Sequence, residues 1–410
     1  MLYFILLCGR IDNVLKGGGI DTMKNIVICT QKVRLYPNST MKKALDELCD
    51  YRRYCWNQGL ALWNDMYDES VIMNNKKLRP NWRKVRDELV ANKEDWQYGL
   101  SAQCLQLAIK DLGKAWSNFF NKSQPEWGKP KFKAKKMSRQ GFKTQRAKLI
   151  NGRLRLDKPH GVKKWSNIKI KGAYDLSGNL KIVSIIKEHD KYWASLVLEK
   201  NIKQKTRTDR NTAIDLNVGH INYTDGKINT LPKKLRKLYE RIKHYQRCLA
   251  KKRVVNGKQA TQSNNYVKTK AKLQRDYDKV ANIQHDIIQK FTTRLVNDYD
   301  KIVIEDLDVK KMLMSHVASK GMHRSLFGYF RQVLEYKCDW YGKEIVLADQ
   351  HYPSTQRCSD CGHIKTGEEK ITLTGNKKHH TKHNEYICYK CGAVMDRDEN
   401  AVANLLALAE

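Results

Sequence analysis

Residues 353–362 read Pro353-Ser354-Thr355-Gln356-Arg357-Cys358-Ser359-Asp360-Cys361-Gly362, and residues 388–392 read Cys388-Tyr389-Lys390-Cys391-Gly392. Each is a CxxC pair closed by a glycine. A tight turn lets two thiolates grip one ion, and the glycine frees the backbone to make that turn. Two such knuckles supply a tetrahedral four-cysteine set, Cys358, Cys361, Cys388 and Cys391, typical of one structural Zn²⁺. A redox CxxC would explain one pair but not its duplication. The histidines between the knuckles, from His379 to His383, and His363 then read as a solvated loop, because four cysteines complete the shell. The remaining seven cysteines are scattered among core-like residues, which fits a reducing cytosol with one metal site.

Outward from the knuckles lie three carboxylates at the ends of predicted elements. Asp215 sits inside the apolar strand Ala213-Ile214-Asp215-Leu216, where an ionised carboxylate is costly unless paired or metal-bound. Glu305 ends the strand Lys301-Ile302-Val303-Ile304-Glu305. Asp398 opens the last helix, in Asp396-Arg397-Asp398-Glu399-Asn400-Ala401. Crossover rules allow the two strands to lie side by side. Together the three acids would hold two Mg²⁺ ions about 4 Å apart, one activating water and one stabilising the leaving oxygen. Taken singly, each has a plainer reading: Asp398 as a helix cap, Glu305 as loop solvation beside Asp306 and Asp308, Asp215 as one end of a turn.

The elements around them alternate. Strands are expected at 26–29, 32–36, 180–186, 192–198, 213–216, 221–224, 301–305 and 344–348, with helices at 325–341 and 398–409. Leu45, Leu48, Tyr51 and Cys55, then Leu105, Ile109, Leu112 and Trp116, recur at helical steps, so 41–120 is a helical module. The fold class is α/β multidomain. Its expected parts are a mixed α/β domain carrying the zinc ribbon and an N-terminal β-barrel carrying the helical insert.

The chain has 410 residues, with 78 Lys plus Arg against 43 Asp plus Glu, a net charge of +35. Such an excess points to a polyanion partner. Two stretches concentrate it. Residues 122–169 hold 16 basic and 2 acidic residues, and 233–279 hold 16 and 3, the latter reading as a helical hairpin broken at Val255-Asn256-Gly257. In the first stretch Lys129, Lys131, Lys133, Lys135 and Lys136 are candidates for phosphate contact. Interleaved Trp127, Phe132, Phe142 and Trp165 either stack on bases or anchor a small β domain. The apolar run at 2–8 is too short to span a bilayer, which needs about 20 residues. It also makes a poor signal peptide, so no membrane partner and a cytoplasmic, nucleoid-associated location are expected.

These motifs resemble the TnpB family of bacterial insertion sequences, relatives of the type V CRISPR effector nucleases. The resemblance runs from Met23 to the end. It rests on Arg34-Leu-Tyr-Pro-Asn38, Leu105-Gln106, Phe119-Phe120, Gly128-Lys-Pro-Lys-Phe-Lys133, the three acidic segments, Leu334-Glu-Tyr-Lys with Trp340-Tyr-Gly, and both knuckles. It implies metal-binding acids at Asp215, Glu305 and Asp398 and zinc ligands at the four cysteines. It also implies target-duplex contacts at Gln106, Thr144 and Gln145. The implied domains are a wedge-like barrel (23–40 and 121–205), a helical recognition module (41–120), a RuvC domain of RNase H fold (206–350 and 393–410) and a target-nucleic-acid-binding zinc insert (351–392), with 1–22 a non-essential extension. The implied partners are a guide RNA from the transposon end and double-stranded target DNA, bound by a monomer. The implied activity is RNA-guided cleavage of both DNA strands beside a short motif. Alternatives are a nuclease-silent RNA-guided repressor and a D-D-E transposase. One residue departs from the family: Asn217 stands where glycine usually follows Asp-Leu.

Overall fold

Alternating burial of Val27, Cys29, Val33 and Leu35 makes Ile26–Tyr36 one long strand, β1, which Pro37 ends. Asn38 then caps α1 (Ser39–Ile72), its Oδ1 accepting from the Met41 amide at 2.8 Å. The computed structural model describes residues 26–410 except 124–125, 136–139, 161–163, 173–174, 189–190, 256–257, 260–262, 309–320, 322–323, 373, 377 and 410. The expectation for residues 1–22, and the candidate Lys136, therefore lie outside the described residues. The chain divides into two compact units, Met1–Ile202 and Lys203–Glu410.

In the first unit α1 is followed by α2 (Trp82–Ala91), the short α3 (Asp95–Tyr98) and α4 (Ala102–Phe119). The helical spacing is realised in the packing. Leu45, Leu48, Tyr51 and Cys55 of α1 are buried, as are Leu105, Ile109, Leu112 and Trp116 of α4, and the two helices pack together. The helices interrupt a β-sheet, whose other strands are β2 (Gln140–Thr144), β3 (Ala147–Ile150), β4 (Arg153–Leu156), β5 (Ile168–Lys171), β6 (Asn179–Glu188) and β7 (Lys191–Asn201). The strands run antiparallel in the order β2-β6-β7-β1-β5-β4-β3, and β3 returns close to β6, so the sheet curls.

The second unit opens with the meander β8 (Asn211–Asn217), β9 (His220–Tyr223) and β10 (Gly226–Asn229). Helices α5 (Lys233–Arg253) and α6 (Asn264–Asp298) form the basic hairpin, joined by the small ribbon β11 (Val254–Val255) and β12 (Lys258–Gln259). They pack through Leu235, Leu238, Ile242 and Val280, while Arg241 donates to the buried Asp276 at 2.9 Å. Next come β13 (Lys301–Glu305), α7 (Phe327–Tyr341), β14 (Glu344–Ala348), the ribbon strands β15 (Glu385–Ile387) and β16 (Val394–Asp396), and α8 (Arg397–Leu406). The central sheet has the order β10-β9-β8-β13-β14. The first three strands are antiparallel, and β13 and β14 run parallel to β8.

Period-two alternation splits the sheet's residues between two cores. Ile214, Leu216, Ile302 and Ile304 pack with Phe291 and Leu295 of α6 and Phe330 and Leu334 of α7. Ala213 and Val303, from the opposite face, pack with Val402 and Leu405 of α8. Among the described residues no helix is long and apolar enough to cross a membrane.

Gly141 in β2 marks a close approach. A Cβ there would lie 2.4 Å from the Ile185 carbonyl oxygen of β6, a backbone atom that cannot rotate away. Gly141→Ala is expected to destabilise the first unit by roughly 1–3 kcal/mol, read as a lower urea midpoint with unchanged slope. An unchanged midpoint would contradict this packing.

Candidate active site and zinc centre

The parallel register pairs Val303 with Ala213 and Ile304 with Ile214. One step further along, Asp215 and Glu305 are neighbours on the sheet face that α8 covers. Asp398 sits in the first turn of α8, which packs on β8, β9 and β13. The three acids thus come from three elements to one corner of one sheet. Asp215 lies within its strand and only 8% exposed, not at a turn. Helix α8 is capped by Asp396, whose Oδ1 accepts from the Asp398 and Glu399 amides at 2.9 and 3.2 Å. That leaves the Asp398 side chain to other partners.

Each acid is braced by a residue that local sequence did not flag as its partner. Asn217 Nδ2 donates to Asp215 Oδ2 at 2.6 Å, and Ser354 Oγ donates to Glu305 Oε1 at 2.6 Å. His220 Nε2 lies 3.0 Å from Asp398 Oδ2, with Arg397 Nη2 3.5 Å from Oδ1. Ser354 is itself held by α8: Asn404 Nδ2 donates to the carbonyls of Ser354 (2.9 Å) and Arg357 (2.7 Å). Asn400 donates to the Arg357 carbonyl at 2.7 Å and accepts from the Ser359 amide at 2.9 Å. The two asparagines, one helical turn apart and almost fully buried, therefore clamp the segment between Glu305's partner and the first knuckle. A cleft of about 290 Å³ opens beside Glu305, lined by Asp306, Ala348, Asp349, Tyr352 and Ser354.

The electrostatics are those of carboxylates short of positive charge. Burial, and then the charge of Glu305, push the Asp215 carboxyl up to about 7. The Asn217 amide opposes this and Asp398 adds to it. Burial also raises Glu305, against the Ser354 hydroxyl. Oxygen donors of this kind suit a hard divalent cation such as Mg²⁺, which would relieve the repulsion. The donor set therefore fits the ion.

At the knuckles, the Cys358 and Cys391 sulfurs lie 3.7 Å apart and those of Cys361 and Cys388 lie 3.6 Å apart. All four lie within 4.8 Å of one another. A tetrahedron with Zn–S bonds of about 2.3 Å has edges of roughly 3.8 Å, so the set fits zinc, while a disulfide would need about 2.05 Å. The two turns are copies. Gly362 and Gly392 have φ of +73° and +75°, and their amides donate to the Cys358 and Cys388 carbonyls at 3.0 and 2.9 Å. Nothing stands within 4 Å of a Cβ at Gly392, so it is backbone conformation that calls for glycine there. His363 bonds Glu369 at 2.9 Å, and His379 stacks on Tyr389 with ring centroids 4.2 Å apart.

The nucleic-acid candidates sit in the first unit. Gln106 is exposed on α4, and Gln103 Nε2 donates to its Oε1 at 3.4 Å. Gln103 in turn accepts from the Gln145 amide at 3.3 Å, so α4 and the end of β2 bring Gln106 and Gln145 close. Thr144 is buried, its Oγ1 accepting from the Arg146 amide at 3.0 Å. The lysines differ among themselves. Lys131 is exposed, Lys129 lies 5.6 Å above the Trp116 ring, and Lys135 pairs with Asp50 at 2.6 Å. Lys133 is half-buried 3.2 Å above the Trp56 ring, where burial and then the nearby Arg52 push its pKa down to about 7. The interleaved aromatics divide as well. Phe142 is core, Trp165 donates to the Leu156 carbonyl at 3.0 Å, and Trp127 and Phe132 are exposed.

A mixed α/β unit with a carboxylate trio and a four-thiolate ribbon defines a class, and comparison with known proteins agrees. Three family models match: "Helix-turn-helix domain" over 27–70, "Probable transposase" over 194–316 and "Cas12f1-like, TNB domain" over 327–405. The first of these regions is β1 and part of a single helix in this chain. A Streptomyces pristinaespiralis protein named "Putative RNA-guided DNA endonuclease" is 29% identical over 388 residues, covering 92% of this chain and 88% of that protein. The Escherichia coli K12 "Putative RNA-guided DNA endonuclease InsQ" is 26% identical over 397 residues, covering 92% and 91%. A mimivirus "TnpB-like protein L79" is 36% identical over 157 residues, covering 36% of this chain and 27% of that protein. Among solved structures, a Cas12f1–sgRNA–target DNA complex aligns over 93% of this chain and 99% of that one, with TM-score 0.52 and 14% identity, a likeness of fold. The chain is thus similar, over most of its length, to TnpB-like proteins of insertion sequences.

Two outcomes follow from the site's geometry. Cys388→Ser leaves three thiolates and is expected to lower zinc content and melting temperature together, by elemental analysis and calorimetry. Well-folded wild-type protein without zinc would refute the assignment. For Asp215 the folded pKa lies above the unfolded one, so the folded state binds the extra proton. In zinc-loaded protein kept free of Mg²⁺, the contribution of Asp215 to stability is expected to fall as pH rises from about 4 to about 7. Asp215→Asn is expected to flatten that fall and raise stability at pH 8, by at most on the order of 4 kcal/mol. Parallel wild-type and variant curves in urea denaturation would count against the buried charge.

Proposed function

We propose that this chain is an RNA-guided DNA endonuclease. A guide RNA selects a target beside a short motif, and one active site cuts both strands by phosphodiester hydrolysis. The observation that carries the reading is the meeting of Asp215, Glu305 and Asp398 on one sheet face. The sheet order, three antiparallel strands followed by two parallel ones, supports a RuvC-type core of RNase H fold. The similarity to TnpB-like proteins and the relatives' names support the guided activity.

Asp215, Glu305 and Asp398 would hold divalent ions. Such ions, when bound, lower the pKa of water and offset charge on the leaving oxygen. The chain's own residues do the positioning. Asn217 and Ser354 fix the carboxylate planes of Asp215 and Glu305, and His220 ties Asp398 to β9. The Asn400 and Asn404 clamp gives the zinc ribbon a mechanical connection to Glu305, so zinc would support the geometry of the acids as well as the fold. The basic hairpin α5–α6 and the stretch 122–169 supply phosphate contacts. Gln106 and Gln145 are suited to the edge of the target duplex. The protein reads little sequence itself, because base pairing with the guide does that.

One trio serving two strands makes a sharp expectation. Asp398→Ala should cut neither strand and still bind guide and target, and removing Mg²⁺ should have the same effect. The measurement is a cleavage assay with differently labelled strands. If Asp398→Ala nicked one strand at the wild-type rate, a second active site would exist and the proposal would fail.

A further inference from the structure

Within the segment Lys129–Lys135, Phe132 and Lys133 invert the usual partition of side chains, while Lys129, Lys131 and Lys135 are exposed. Lysines normally face water and phenylalanines the core, so a half-buried lysine beside an exposed phenylalanine is the informative departure. Here the ammonium of Lys129 lies over Trp116, that of Lys133 over Trp56, and that of Lys135 on Asp50. Phe132 among them is 61% exposed. Its backbone is held on both sides by α1. Trp56 Nε1 donates to the Lys131 carbonyl at 3.1 Å. Asn57 accepts from the Lys133 amide at 2.8 Å and donates to the Lys133 carbonyl at 3.1 Å. Helix α1 thus anchors the chain at 131 and 133 and leaves the ring between them in solvent.

Folding gains nothing from the exposure of the Phe132 ring, although Lys133 recovers a cation–π contact with Trp56. Burial opposes the charge of Lys133, and exposure forfeits the hydrophobic gain of Phe132. A flat ring on an anchored backbone, beside the exposed cation of Lys131 in a strongly basic stretch, has the chemistry that recognises an unpaired base and its phosphate. We propose that Phe132 is a stacking platform for a nucleobase, with Lys131 on the adjoining phosphate. The inference rests on the reading of the chain as a nucleic-acid-guided enzyme and names one of its contacts. The base comes from RNA or from a displaced DNA strand, and the two are separated by the test.

The test measures the affinity of the full-length, zinc-loaded protein for mixed-sequence single-stranded RNA and DNA oligonucleotides of equal length, from low to high salt. The variants are Phe132→Ala, Phe132→Leu, Phe132→Trp and Lys131→Ala. Stacking releases no counterions, whereas a phosphate contact does. Phe132→Ala and Phe132→Leu are therefore expected to weaken binding roughly 5- to 150-fold at every salt concentration with the salt slope unchanged. Phe132→Trp should retain affinity, and Lys131→Ala should reduce the slope. Loss on RNA alone assigns the base to the guide, and loss on DNA alone assigns it to the target. If Phe132→Ala binds both as wild type does, or shifts only the oligomeric state, the platform is overturned while the guided reading stands. If the wild-type protein binds neither, that reading fails with it. Unchanged melting temperature in Phe132→Ala confirms that folding is not the cause.

Discussion

Like charge held together out of water is the constraint around which the second unit is built. Asp215 and Glu305 face the same side of adjacent parallel strands, and α8 brings Asp398 against that side. Burial raises the carboxyl of Asp215 toward neutrality, and Glu305 adds to the effect. A sheet selected for stability alone would place apolar residues there, as it does one step earlier at Ala213 and Val303. The cost is sustained by rigid packing behind it, where Ile214, Leu216, Ile302 and Ile304 lock the strands to α6 and α7.

The same constraint explains the ribbon's placement. Glu305 takes its hydrogen bond from Ser354, and Ser354 belongs to the segment that becomes the first knuckle. Asn400 and Asn404 hold that segment from α8, the helix that also carries Asp398. Two of the three acids are thereby tied to one helix and one knuckle, so the thiolate cluster and the carboxylate trio share a scaffold.

Local pattern made much of this legible. Apolar runs marked β8 and β13, duplicated CxxC-Gly marked the thiolate cluster, and helical spacing marked the buried faces of α1 and α4. What sequence left open were contacts across long chain separation. Ser354 and Glu305, or His220 and Asp398, meet only because of the sheet order, and nothing near either residue announces its partner. Asn217 stood out only as a departure from the family, and its amide proves to bond Asp215. Whether Asp398 was a mere cap depended on Asp396 taking that role. The lysines at 129–135 were legible as charge, but their direction is set by Trp56, Asn57 and Asp50 on a helix far back in the chain.

The three carboxylates are proposed to hold divalent cations. Anomalous scattering from crystals of the zinc-loaded protein soaked in Mn²⁺ tests this most directly. Manganese is expected within coordinating distance of Asp215, Glu305 and Asp398, and no manganese is expected there in crystals of Asp215→Asn. Manganese absent from that corner of the wild-type protein, or unchanged in the variant, would contradict it.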